Sequence, residues 1–320
     1  MGNPAPDTLV PYPADPSDCA WGADMAQLVN IVVGLATALL GYLIGRVWHT
    51  WMIQRRYQRA RHFWQPVVDG HFQIVISRFA VDGFREPTGL VGGGDAIANR
   101  LLGDLFQDIG LERPQSVYVD EPELDRNKNL ILLGGANANR VVDEALRRVT
   151  PGLCVTDPGP GICMQVDDLE VPEDSTDARR TYVAEPAPDH MTDYGVIIRA
   201  RNPFSPDRAL VVISGAYGYG TWAGVQVTQR PDFLARCTEL DAMNHQAAPG
   251  PRRRWSPGVL LGLRTAAVPD WAEVECLVKV DVIDRRPQTA EIVLFRPIAA
   301  SQRNASLIRS SQRAGSSLSG

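Results

Sequence analysis

From Leu28 to Gly45 the chain is apolar at every position except Asn30 and Thr37, and the run carries no charge. Extended through Trp48 it is about 20 residues, which at ~1.5 Å per residue crosses a ~30 Å hydrocarbon layer. The pattern predicts a single transmembrane helix over 27–48. A buried core helix is the competing reading, but such helices seldom stay apolar all round for this length.

Beyond the run, three stretches share one grammar: a short apolar strand, a glycine-rich turn and a helical pattern. The first is His71 to Ser77, then Gly89-Leu90-Val91-Gly92-Gly93-Gly94-Asp95, then AIANRLLGDLFQDIG. The second is Asn129 to Leu133, then Gly134-Gly135-Ala136-Asn137-Ala138-Asn139, then RVVDEALRRV. The third is Ala209 to Ile213, then Ser214-Gly215-Ala216-Tyr217-Gly218-Tyr219-Gly220-Thr221, then WAGVQVTQRPDFLARC. Continuous apolar strands alternating with helices predict a parallel sheet covered on both faces. Val196 to Asp207 reads as one arm and turn of a hairpin that leads into the third strand. Val274–Asp284 and Thr289–Phe295 read as a second hairpin around Arg285-Arg286-Pro287. The expectation is an α/β protein, with a Rossmann-like domain over 67–300 and a mainly parallel, partly mixed sheet.

Three segments stand outside this pattern. Residues 1–26, with five prolines between Pro4 and Pro16, and residues 301–320, rich in Ser, Arg and Gly, are expected to be disordered. Thr150 to Asp193 is rich in Pro, Gly and acidic residues, and reads as a functional flap or a partly disordered excursion. Residues 49–66 alternate aromatics with arginines and form a basic juxtamembrane helix. This helix either continues the span into solvent or lies at the headgroups.

Charge sets the orientation. Met1 to Gln27 has four aspartates and no lysine or arginine, whereas Arg46, Arg55, Arg56, Arg59 and Arg61 follow the run. Positive residues stay cytoplasmic, so the N-terminus is expected outside and the main domain in the cytoplasm, at the plasma membrane. A cleaved secretory signal would want a basic start and a small-residue cleavage site, and neither is present. A net charge of −5 gives no general attraction to nucleic acid. The five cysteines form no C-x-x-C and are expected as free thiols.

In open α/β sheets ligands bind at the carboxyl ends of the strands, where all three glycine turns fall. Glycine lets a backbone approach a phosphate closely, and the helix that follows offers unpaired N–H groups. The expected ligand contacts are Gly93, Gly94 and Asp95 in the first turn and Gly134, Gly135, Asn137 and Asn139 in the second. The third turn adds Gly215, Gly218, Gly220 and Thr221. Asp95, Asn137 and Asn139 could equally cap their helices. Tyr217, Tyr219 and Trp222 could stack on a base or pack under the flap. Arg252-Arg253-Arg254 reads as a solvated turn.

No phosphate-binding G-x-x-x-x-G-K-[ST] loop is present, and no histidine or cysteine cluster suggests a metal. Ser214 has no evident histidine partner, no catalytic residue is assigned and no cofactor is expected. Gly218-Tyr219-Gly220-Thr221 resembles the G-x-G-T turn of the Rossmann-like nucleotide-binding superfamily of phosphoribohydrolases and bacterial nucleotide sensors, over about 15 residues. Enzymes of that family have a glutamate three positions after the threonine, where this chain has Gly224. The resemblance therefore implies binding rather than hydrolysis.

The expectation is a membrane-anchored sensor or effector that binds a nucleotide or phosphorylated small molecule, contacts membrane lipid and self-associates. The alternatives are an enzyme acting on a nucleotide or its glycosidic bond, and a non-catalytic scaffold.

Overall fold

The computed structural model describes residues 16–78, 90–111, 114–159, 161, 163–172, 181–187, 190–247 and 271–298. The expectations for 1–15, Gly89, Arg252 to Arg254 and 301–320 lie outside these residues. Helix α1 runs unbroken over Pro16–Val68. Within it, Gln27–Trp51 has a mean hydropathy of 2.1 and is long and apolar enough to cross a membrane, with none of that stretch buried. The chain divides into two units between Arg56 and Tyr57, inside this helix. The second unit therefore begins with the last turns of α1. There Ala60, Phe63, Trp64 and Val67 recur at helical spacing and are all but fully buried. Phe63 meets Trp64 and Phe233 edge-to-face, with ring centroids 4.9 and 5.1 Å apart.

The central sheet is mixed. Strands β1 (Phe72–Ile76), β2 (Gln115–Tyr118), β3 (Asn129–Leu133) and β8 (Ala209–Gly215) are parallel, in the order β8-β3-β1-β2. Strand β7 (His190–Arg201) joins β8 antiparallel, and β9 (Val274–Ile283) joins β7 antiparallel. The short β10 (Arg286–Pro287) and β11 (Glu291–Pro297) pair with β9. Both hairpins fall where the residues predict them, the first closed by Asn202, whose side chain accepts from Phe204 N at 3.0 Å.

Every residue of β3 and β8 is buried, because layers cover both faces. On one face lie the end of α1, α2 (Gly93–Asp108), α4 (Gly218–Val227) and α5 (Pro231–Ala247). On the other lie α3 (Arg140–Val149) and a small antiparallel sheet of β4 (Leu153–Thr156), β5 (Gln165–Asp168) and β6 (Thr181–Val183).

Helix α1 already covers 16–26, a stretch expected to be disordered, β2 has no counterpart in the sequence pattern, and two further elements differ from it. The helix expected after the third turn is split into α4 and α5 around Thr228-Gln229-Arg230, since Pro231 supplies no N–H to a continuing helix and suits the first position of a new one. The 150–193 segment contains the small sheet, held down by Arg296. Its guanidinium grips Asp168 through both Nη atoms (3.0 and 2.7 Å) and donates through Nε to the fully buried Glu275 at 2.5 Å.

The β9–β10 turn is two residues long, and both Asp284 (φ 50°) and Arg285 (φ 61°) are left-handed. A side chain costs stability in that conformation, so Arg285→Gly is expected to raise stability by about 1 kcal/mol, a Tm gain of about 2–4 °C. Tm unchanged in differential scanning calorimetry would mean that the turn adopts another geometry in solution.

Candidate functional site

After β1 the chain passes through α2 to β2 on one side. After β3 it leaves through α3 toward the other side. The crevice between the carboxyl ends of β1 and β3 is therefore the point where the connections diverge, the place at which such sheets bind ligands. Ser77 follows β1 there and donates to Leu133 O at the end of β3 (3.2 Å).

The three glycine turns meet at this point. A Cβ on Gly94, in the first turn of α2, would overlap the backbone of Gly218, lying 2.5 Å from its Cα, so the N-termini of α2 and α4 touch backbone to backbone. Gly134 has φ +96°, and a Cβ on it would lie 2.7 Å from Asp95 Oδ2. A Cβ on Gly135 would be 3.7 Å from Gly215 O. Gly215 and Gly220 fit α4 against the strands, with Cβ positions 2.5 Å from Thr221 N and 2.7 Å from Tyr194 C.

The structure thus brings Gly94, Asp95, Gly134, Gly215, Gly218, Gly220 and Thr221 into one contact set. Gly93 is exposed with open space around it, Gly135 borders the set, and Asn137 is exposed beside Gly135. Asn139 is fully buried. Its Oδ1 accepts from Val141 N and Val142 N (3.0 and 3.2 Å) and its Nδ2 donates to Leu133 O (3.3 Å), so both ends of its amide are spent on capping α3.

Two buried carboxylates dominate the chemistry. Asp95 is 6% exposed and bonds the hydroxyls of Thr221 and Ser77; burial pushes its carboxyl above the usual range. Asp193, at the start of β7, is fully buried. Its Oδ1 accepts from Tyr194 N (2.7 Å) and Tyr217 N (3.0 Å), and its Oδ2 accepts from Gly220 N (2.6 Å). It fills the N-terminal end of α4 with the protein's own anion. Sequence reasoning missed Asp193, Ser77 and Tyr194. The one available signal was a lone acid just ahead of the apolar stretch Tyr194 to Ile198.

Burial pushes the Asp193 carboxyl up to about 6, against the pull of its N–H donors. A carboxyl raised by folding binds its proton more tightly in the folded state. Its contribution is therefore fullest below the unfolded value of about 4 and falls as pH rises through about 6. Wild-type stability should accordingly drop by about 2–3 kcal/mol relative to Asp193→Asn between pH 4 and 7. Denaturant unfolding at both pH values checks this, and a wild type that gains on the variant would show that the N–H bonds outweigh burial.

At the rim, Arg78 pairs with Asp120 and lies 5.0 Å from the centroid of the Tyr118 ring. Tyr219 and Trp222 stack on each other (6.2 Å, 25°), and Tyr217 Oη accepts from Met164 N at 3.4 Å, tying the turn to the small sheet. Ser214, 1% exposed, has a hydroxyl without a hydrogen-bond partner. Among the described residues no group of His, Cys, Asp and Glu is placed to hold a metal. At the opposite end of the sheet a cleft of about 140 Å³ lies between Arg148, Arg201, Asn202 and Glu273. Searches against protein-family models, curated proteins and solved structures find no match, so the G-x-G-T resemblance rests on its own residues.

Proposed function

We propose that this chain is a membrane-anchored sensor or effector whose α/β domain binds a nucleotide or a similar small molecule in the crevice between β1 and β3. The observation that carries the reading is the meeting of three separate glycine turns at the divergence point, around the buried Asp95. Gln27–Trp51 serves as the anchor, and the arginines after it keep the domain on the cytoplasmic side. Ligand binding changes the self-association of the tethered domains.

The binding test is a thermal-shift screen of the purified full chain against nucleosides and nucleotides. A ligand present at 100 times its Kd should stabilise by about 2.7 kcal/mol, and the absence of any shift would leave the scaffold reading. For the anchor, a reporter fused after Gly320 should read as cytoplasmic, and changing Arg55, Arg56, Arg59 and Arg61 to Asp should weaken that orientation. Recovery of the intact chain in the soluble fraction would remove the anchor.

A second reading, an enzyme acting on the glycosidic bond of a nucleotide, is favoured by one observation. Asp95 offers a carboxyl with a raised affinity for protons at the crevice floor, as a general acid requires. Product analysis of incubated nucleotides, repeated with Asp95→Asn, separates an enzyme from a sensor.

A further inference from the structure

At the end of the sheet away from the crevice, the last turn of α3, the β7–β8 turn and the residue before β9 border the cleft of about 140 Å³. The β7–β8 turn is fixed by Asn202, whose Nδ2 donates to Arg126 O and Lys128 O, both at 2.8 Å. Pro203 and Pro206 in that turn, with Val149 and Ala200, give the cleft an apolar wall. Arg148, Arg201 and Glu273 line it as well, so two cations against one carboxylate leave one positive charge in excess.

The two arginines are not equally engaged. Arg148 donates to Glu144 Oε1 at 2.6 Å, and Arg126 takes the other oxygen of that carboxylate at 2.5 Å. Both guanidinium groups lie over the Phe204 ring, 5.0 and 5.1 Å from its centroid, which holds Arg148 in place. Arg201 has no such anchor. Its Nε is shut off from solvent without a hydrogen-bond acceptor, and Glu273 Oε1 stands 3.7 Å from it, beyond hydrogen-bond length. The Arg201 side chain is still 36% exposed, so an incoming group can reach it.

A planar guanidinium fork is completed best by a planar anion with two oxygens. A phosphate dianion would bring two negative charges beside Glu273, where only one is balanced. The volume sets the rest of the ligand: a cavity of about 150 Å³ holds benzene, so this cleft takes about six non-hydrogen atoms, the size of butyrate.

We propose that this cleft is a second binding site, for a small monocarboxylate. The carboxylate sits on Arg201, with Arg148 as the second cation, and a short hydrocarbon tail lies on the apolar wall. The site is separate from the crevice between β1 and β3 and does not depend on it.

Isothermal titration of the full chain in detergent with sodium butyrate, 1-butanol and inorganic phosphate tests the site. Butyrate should bind with a Kd of about 1 mM or below, and about tenfold or more tighter than either comparison. The alcohol keeps the tail without the charge, and phosphate keeps the charge without the tail. Arg201→Gln should weaken butyrate by about tenfold or more, and Arg148→Gln, at a half-exposed helix position, by about threefold. The wild-type comparison needs no variant, and Arg148→Gln tests the location should Arg201→Gln fail to fold. No saturation by butyrate up to about 20 mM, either comparison binding as tightly as butyrate, or unchanged butyrate affinity in a folded variant would each overturn the inference. Nucleotide binding without butyrate binding would overturn this site alone and leave the crevice reading standing.

Discussion

Gly220→Val is expected to destabilise the α/β domain by about 3 kcal/mol or more, a Tm loss of about 6–12 °C. The new Cβ would lie 2.7 Å from Tyr194 C and 3.0 Å from Gly215 Cα, and every atom it meets is backbone that no rotamer can move aside. Relief requires α4 to lift from β7, which breaks the Gly220 N bond to Asp193 and leaves a fully buried carboxylate short of a donor. A variant melting within about 2 °C of wild type would show that α4 is seated differently. The same geometry makes Gly220 a poor probe of ligand contact, because a lost fold would mask any change in affinity. Asp95 is the better position for testing the proposed crevice, since a change there alters a side chain and adds no atoms against the backbone.

Arg199→Met should cost about 3–5 kcal/mol, the penalty for leaving a buried carboxylate without its cation. Arg199 on β7 is fully buried. Its Nη2 donates to Asp241 Oδ1 on α5 (2.5 Å) and to Ala272 O (2.9 Å), and its Nη1 reaches Phe63 O at the end of α1 (3.5 Å). The guanidinium also lies 5.2 Å from the centroid of the Phe63 ring and 5.6 Å from that of Trp271. Removing it leaves Asp241 with Ala272 N (2.7 Å) and the half-exposed His62 (3.3 Å). Removing both charges, as in Arg199→Met with Asp241→Leu, should recover part of the loss, because no unpaired ion remains. Chemical denaturation of the single and double variants measures both. A single variant as stable as wild type would mean that water reaches Asp241.

The three strand-turn-helix units were legible because strands buried on both faces are apolar in near-continuous runs, as in Leu130–Leu133 and Ala209–Ile213. The small sheet was not. Its strands are three or four residues long, include QVDD, and are only partly buried. What fixes them is Arg296, 128 residues beyond Asp168, and no local pattern encodes so distant a bond. Asp193 escaped for the same reason: the cap on α4 comes from a strand 24–27 residues earlier instead of from the residue before the helix. Gly94, Gly134, Gly215, Gly218 and Gly220 are places of close approach, whereas Gly93 has open space around it. The sequence could not tell whether the approaching atoms belong to a ligand or to Gly218 and Tyr194.

The end of α1 bears on how such a protein can be built from parts. Phe63 and Trp64, both fully buried, belong to the core of the second unit, yet they lie on the helix that carries the apolar stretch. The seam between the units falls inside a helix, where no loop, proline or glycine marks it. A recombination event that moves this domain behind a different leader must break the gene upstream of Ala60. A breakpoint at the tidy edge of β1 would deliver a fold missing two of its largest aromatic side chains, and inheritance should therefore keep the last turns of the helix and the sheet together.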